Sequence, residues 1–150
     1  MDEIDKKILM LLQQNSKQNT KEIADKIGLT VSPTFERIKK LEQQNYIKNY
    51  VAILNGEKID KALLVYCQIS LATHSKELIE NFKAQITIFP EVMACLHVSG
   101  NYDFLLKISV KGMAEYQKLV VDKLAIIEGI SNVQSSFVME SIKDETGYIL

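Results

Sequence analysis

The chain has 150 residues, 47% hydrophobic and 25% charged, enough for one large domain or for two small ones with separate cores. A net charge of −1 and a pI near 6.1 exclude a uniformly basic nucleic-acid coat. With no N-terminal apolar leader and no apolar run of about 18 residues, a soluble, cytoplasmic protein without a membrane partner is expected.

The first predicted helix is DEIDKKILMLLQQN, with Ile4, Ile8, Leu11 and Leu12 on one face and Asp2 available at its start. A second helix runs from Thr20, read as its N-cap, and turns Ile23, Ala24 and Ile27 inward. Gly28 sits where the chain leaves that helix, a place that favours left-handed backbone, and Leu29 fills the angle beyond it. Thr30 or Ser32 caps a third helix, with Pro33 tolerated in a first turn whose amides have no helical acceptor. Phe35, Ile38 and Leu41 are expected to form its buried stripe, leaving Ser32, Thr34, Glu36, Arg37, Lys39 and Lys40 outside.

Two short amphipathic helices joined by a glycine turn, the second carrying hydroxyls and then cations, have the layout of a helix-turn-helix that reads double-stranded DNA. The DNA-binding candidates are Thr20, Lys21, Thr30, Ser32, Thr34, Glu36, Arg37, Lys39 and Lys40. Hydroxyls and Arg37 near the helix start reach base edges, whereas Lys39 and Lys40 lie nearer the phosphates. Glu36 either accepts from a cytosine amino group or merely repels phosphate. Residues 1–55 carry nine Lys/Arg against seven Asp/Glu, and residues 56–150 carry nine against twelve. That polarity has the right sign but is small, so binding should rely on more than one copy of the domain.

YIKNYVAIL, after Asn45, is rich in β-branched and aromatic side chains and is expected as a wing or connecting strand. Residues 55–61 mark a boundary between domains 1–55 and 56–150. The second domain then reads as a strand at 62–71, a helix at 75–86 capped by Ser75, strands at 92–98 and 103–110 around a Ser99–Tyr102 turn, a helix at 112–127 stopped by Gly129, and a strand at 133–142. Leu78, Ile79, Phe82 and Ile86 point inward from the first of these helices; Met113, Tyr116, Leu119, Val120, Leu124 and Ile127 do so from the second. The fold class is therefore α+β: an N-terminal winged helix-turn-helix and a C-terminal ferredoxin-like βαββαβ domain. Leu63, Val65, Cys67, Ile69 and Leu71 make one apolar row, and Leu64 and Tyr66 begin another on the opposite face, so a symmetric dimer through this sheet is expected. Cys67 and Cys95 fall in strands without C-x-x-C spacing and are expected as buried free thiols.

Taken in order, DEIDKKILMLLQQN, EIADKIGLTVSPTFERIKKLE, YIKNYVAILN, VSGNYDFLLKI and SSFVMESIK resemble the Lrp/AsnC, or feast/famine, transcription regulators over nearly the whole chain. Asn45 stands where that family usually has Gly. The resemblance implies a ligand-sensing C-terminal half, dimers assembling into octamers or higher forms, and an amino acid or related effector bound between protomers near the hairpin turn. Here that turn is Gly100, Asn101, Tyr102 and Asp103, and Ser135 and Ser136 match the family's hydroxyl positions. The chemistry is consistent: backbone N–H groups at Gly100 suit an α-carboxylate, and Asp103 suits an α-ammonium. Alternatively, Asn101 and Asp103 are hairpin residues only, and the protein is an effector-independent architectural DNA binder. With two histidines, His74 and His97, lacking acidic partners at ligand spacing, no metal and no cofactor are expected. An enzyme resembling the sirohaem decarboxylases would need several basic residues for propionates, and the chain has one arginine, so no catalytic residue is assigned.

Overall fold

Side chains satisfy the amides that open the first two helices. In the computed structural model, which describes residues 1–150, α1 (Glu3–Gln14) is capped by Asp2. The Asp5 N–H donates to Asp2 Oδ1 at 2.8 Å and the Asp2 N–H to Asp5 Oδ2 at 3.1 Å, a reciprocal capping box. The same device opens α2 (Thr20–Ile27), but one residue earlier than its sequence suggests. Asn19, not Thr20, is the cap: its Oδ1 accepts from the Glu22 N–H at 2.9 Å, and Glu22 Oε2 accepts from the Asn19 N–H at 3.0 Å. The Asn-x-x-Glu spacing makes both bonds at once, which Thr20 with Ile23 cannot do.

Gly28 ends α2 in the left-handed region at φ 73°, as its position requires. In α3 (Val31–Gln43), Thr30 occupies the cap without a side-chain bond, and its carbonyl accepts from both the N–H and the hydroxyl of Thr34. Asn45 adopts φ 59°. Ile8, Leu12, Ile23 and Leu41 are the buried centre of this three-helix unit, with Ile4, Leu9, Leu11, Ile27, Ile38 and Ile47 around them. Residues 46–54 form no strand, contrary to their β-rich composition. The one sheet is made of four strands within residues 63–137, and this segment pairs with none of them. It is held instead by the Tyr50 hydroxyl, which donates to Glu42 at 2.8 Å; desolvation and that carboxylate push the phenol up to about 12.

The chain divides into one unit of residues 1–53 with 142–150 and another of residues 54–141. The last residues, expected with the second domain, thus pack with the first. Gln13 holds them through a two-way clasp: its Nε2 donates to the Tyr148 carbonyl at 3.0 Å, and its Oε1 accepts from the Tyr148 N–H at 2.6 Å.

The second unit follows the order β1 (Leu63–Leu71), α4 (Lys76–Ile86), β2 (Val92–His97), β3 (Phe104–Val110), α5 (Met113–Leu119) and β4 (Ile130–Phe137), after a 3-10 turn at Gly56–Ile59. The strands pair antiparallel in the order β2-β3-β1-β4, the expected βαββαβ arrangement. Phe82 and Ile86 of α4, and Tyr116 and Leu119 of α5, cover Val65, Cys67, Ile69, Leu71, Phe104, Leu106, Ile108 and Val110. The other face is apolar in part, with half-buried Leu64, Tyr66 and Leu105 and exposed Leu96.

Two elements differ from their predicted extents. The helix expected over 112–127 is α only to Leu119 and then widens into a π turn at Val120–Leu124, with Met113 exposed. The last strand starts at Ile130 because Gly129, at φ 90°, reverses the chain directly into it. It ends at Phe137, which faces Val65 in the last paired position with β1, and the Val138 N–H still bonds the Leu64 carbonyl at 3.0 Å. Cys67 is buried and Cys95 half-buried, and both are free thiols. No helix is long and apolar enough to cross a membrane.

Candidate functional site

Thr34 and Phe35 exchange the roles expected from periodicity. Either residue completes a helical stripe with Ile38 and Leu41, since i, i+3 and i, i+4 neighbours share a face. In α3 it is Thr34 that is fully buried, its hydroxyl donating to the Thr30 carbonyl at 2.9 Å, while Phe35 is 52% exposed. Burying the smaller side chain lets α3 approach its neighbours closely, and the intrahelical bond satisfies its hydroxyl. Thr34 is therefore withdrawn from the surface that a duplex could touch.

Arg37 is also committed elsewhere. Its Nη1 lies 2.8 Å from Asp2 Oδ2 and 2.7 Å from Asp5 Oδ1, so the guanidinium bridges α3 to the capping box of α1. The Asp5 and Asp2 carboxylates hold the arginine pKa above its ordinary value; the Asp5 N–H, and then Arg37, hold the Asp2 carboxyl below its own. Arg37, expected to reach base edges, is instead engaged by α1 in the chain without DNA. Thr30, Ser32, Glu36, Lys39, Lys40 and Lys21 are exposed, and Thr20 is half-buried. Helical spacing aligns Val31, Phe35 and Lys39 in one exposed row and Ser32, Glu36 and Lys40 in the next. Phe35, expected in the buried stripe, is exposed because Thr34 takes the covered position beside it.

The second candidate surface is the β2–β3 turn. Gly100 adopts φ 149°, and a Cβ placed there would meet nothing within 4 Å, so its backbone faces open space. Asn101 is exposed and Tyr102 half-buried. Asp103 is occupied on every side. Its N–H donates to the Ile69 carbonyl, its own carbonyl accepts from Val98, Oδ2 accepts from the Leu71 N–H at 2.7 Å, and Oδ1 lies 2.7 Å from His74 Nε2. The Leu71 N–H and then His74 hold its carboxyl below the usual range. Within one chain Asp103 is a hairpin clamp, not a free acceptor for an ammonium group.

The serine pair separates across the sheet. Ser135 turns toward the helices, where its hydroxyl is bonded to the Tyr116 hydroxyl and lies 3.7 Å from Cys67 Sγ; Cys67 Sγ is 3.2 Å from the same phenol. Burial there pushes the Tyr116 phenol up. Ser136, paired with Tyr66, is exposed on the other face, because adjacent strand residues point oppositely. Ser135, expected as a ligand contact, belongs within one chain to a part-buried polar cluster with Tyr116 and Cys67. Asp103 lies just before Phe104, which pairs with Ile69, whereas Ser136 pairs with Tyr66 two strands away. At about 4.8 Å between strands and about 3.4 Å per residue, turn and serine are roughly 15 Å apart. One chain does not bring them around the same small molecule.

Two family models match the chain: a winged helix-turn-helix DNA-binding domain over residues 1–48 and an Lrp/AsnC ligand binding domain over residues 64–148. The leucine-responsive regulatory protein of Haemophilus influenzae is 39% identical over 150 residues, covering 100% of this chain and 90% of that protein. The Bkd operon transcriptional regulator of Pseudomonas aeruginosa is 32% identical, over 95% and 93% of the two chains. Among solved structures, a transcriptional regulator of Neisseria meningitidis in complex with L-Met superposes with a TM-score of 0.95 at 32% identity, covering 99% of this chain and 96% of that one. An AsnC family regulator of Agrobacterium tumefaciens gives 0.94 at 36% identity, covering 99% and 97%.

Proposed function

Because the chain belongs to the Lrp/AsnC family of DNA-binding transcriptional regulators, we propose that it binds specific duplex sites as a homodimer or higher assembly, and that a free amino acid held between protomers modulates this. The observation that carries the reading is the division of the polar turn from Ser136. Gly100 and Asn101 offer an open backbone for a carboxylate, yet the hydroxyl expected to join them lies two strands away in the same chain. A second copy supplying its own Ser136 would close that gap and so couple ligand binding to assembly. The half-apolar sheet face with Leu64, Tyr66, Leu96 and Leu105 supports such pairing, and a two-fold protein matches half-sites about 34 Å apart. The L-Met complex of the Neisseria regulator and the name of the Haemophilus relative support an amino acid as the effector class.

The competing reading is an effector-independent DNA binder in the cytoplasm, and the internal commitment of Asp103 favours it. Screening single amino acids against thermal midpoint, sedimentation mass and sequence selection from a random DNA pool separates the two. An effector at a hundredfold its dissociation constant stabilises the folded assembly by about 2.7 kcal/mol and changes mass or selected spacing. Salt-dependent binding of random DNA with no preferred site, and no response to any amino acid, leaves the architectural reading.

A further inference from the structure

We propose that Phe35 is a specificity-determining residue that reads the 5-methyl group of thymine in the major groove, with Val31 one turn before it on the same row of α3. The inference rests on the DNA-binding reading above and deepens it. The phenyl ring lies outside the buried cluster of its unit and is 52% exposed, and Val31 is 46% exposed. Together they make an apolar strip on the N-terminal half of α3, the half that a helix-turn-helix presents to base edges. Isolated exposed hydrophobics are ordinary; two in register on the surface that meets the ligand, in a chain whose better core position is given to Thr34, are a different case.

What the rest of the face offers narrows the base. Guanine is read most often by an Arg or Lys bidentate to O6 and N7. Arg37 is the chain's one arginine and is bound to Asp2 and Asp5, and Lys39 and Lys40 stand a turn or more beyond the apolar strip. The groove-facing residues are then Val31, Ser32, Phe35 and Glu36. An apolar side chain makes its favourable contact with the thymine methyl, while the acceptor-only Glu36 beside it repels keto edges and takes an amino group. Lys39 and Lys40 complete the match, placing cations where the duplex backbone carries phosphates.

Replacing thymine by uracil deletes the methyl and leaves every hydrogen-bonding group unchanged, so it isolates this contact. On a duplex selected by the full-length protein, single dT→dU substitutions are expected to weaken binding about three- to tenfold at one or two positions of each half-site. Phe35→Ala should lose a similar factor on the thymine duplex, be indifferent to uracil at those positions, and keep the parent melting temperature, because the ring is not in the core. Phe35→Leu should recover part of the discrimination. Equal sensitivity of parent and Phe35→Ala to uracil overturns the assignment. So does a Phe35→Ala variant that changes sedimentation mass while keeping the thymine-to-uracil ratio, which makes the ring a protein contact. Failure of the parent to select any duplex sequence instead refutes the DNA reading itself, and the assignment with it.

Discussion

Thr34 shows what a single position decides. Its hydroxyl is fully buried and bonded to the Thr30 carbonyl, which also accepts the Thr34 N–H. Thr34→Val therefore leaves that carbonyl with a partner and should cost about 1 kcal/mol in a chemical denaturation series, with base preference unchanged in pool selection. A changed preference would place residue 34 against DNA. Asp103 makes the other residue-scale point through proton linkage. Its folded pKa lies below the unfolded value, first through the Leu71 N–H and then through His74, so the unfolded chain binds the proton more readily. The stabilisation is complete above the unfolded carboxyl pKa of about 3.9 and disappears as pH falls through the depressed folded value. Asp103→Asn should accordingly flatten the acid limb of stability against pH below about pH 5, and an unaltered slope would mean that the clamp is absent in solution.

At the scale of elements, α1 and α3 are joined by one guanidinium. Arg37→Ala should lower the melting temperature of the helical unit by freeing α3 from the Asp2 and Asp5 cap, and leave the selected bases as they are. An unchanged melt with preference lost at one base would show that the side chain leaves α1 to read DNA. The extents of elements were legible where a local signal sets them. Ser75 caps α4, accepting from the Leu78 N–H, and Gly28 and Asn45 take the left-handed geometry expected of them. They were not legible where pairing sets them: residues 46–54 have strand composition but pair with no strand, and β4 stops where its ladder with β1 ends at Val65. The π turn at Val120–Leu124 has no sequence marker, since it adds a residue to a turn without altering which apolar groups face the sheet.

For the whole molecule, two covalent passages join the units, near residues 53–54 and again near 141–142. The second delivers the C-terminus to α1, where the Gln13 amide behaves as a strand residue toward Tyr148. Gln13→Ala should cost about 1 kcal/mol of local protection, and truncation after Ser141 somewhat more. Hydrogen exchange is the measurement: amides of α1 should exchange faster in both variants while those of β1 do not change. Equal acceleration in β1 would mean that the tail stabilises both units alike. Nothing in the sequence marks this clasp, because 135 residues separate its partners and a glutamine near a helix end reads as a solvated side chain.

The sequence by itself determined the three helices and the βαββαβ order after them, because periodicity, caps and glycine turns act between neighbours a few residues apart, and the resemblance of its motifs pointed to the family. Tertiary structure alone decided which of Thr34 and Phe35 is covered, that Arg37 is drawn to α1, that Asp103 is a clamp, and that Ser135 faces the helices. Each of those outcomes is a competition for the same side chain between solvent and a group distant in the chain. Local spacing fixes the face on which a residue starts, whereas burial and hydrogen-bond partners fix what it does there.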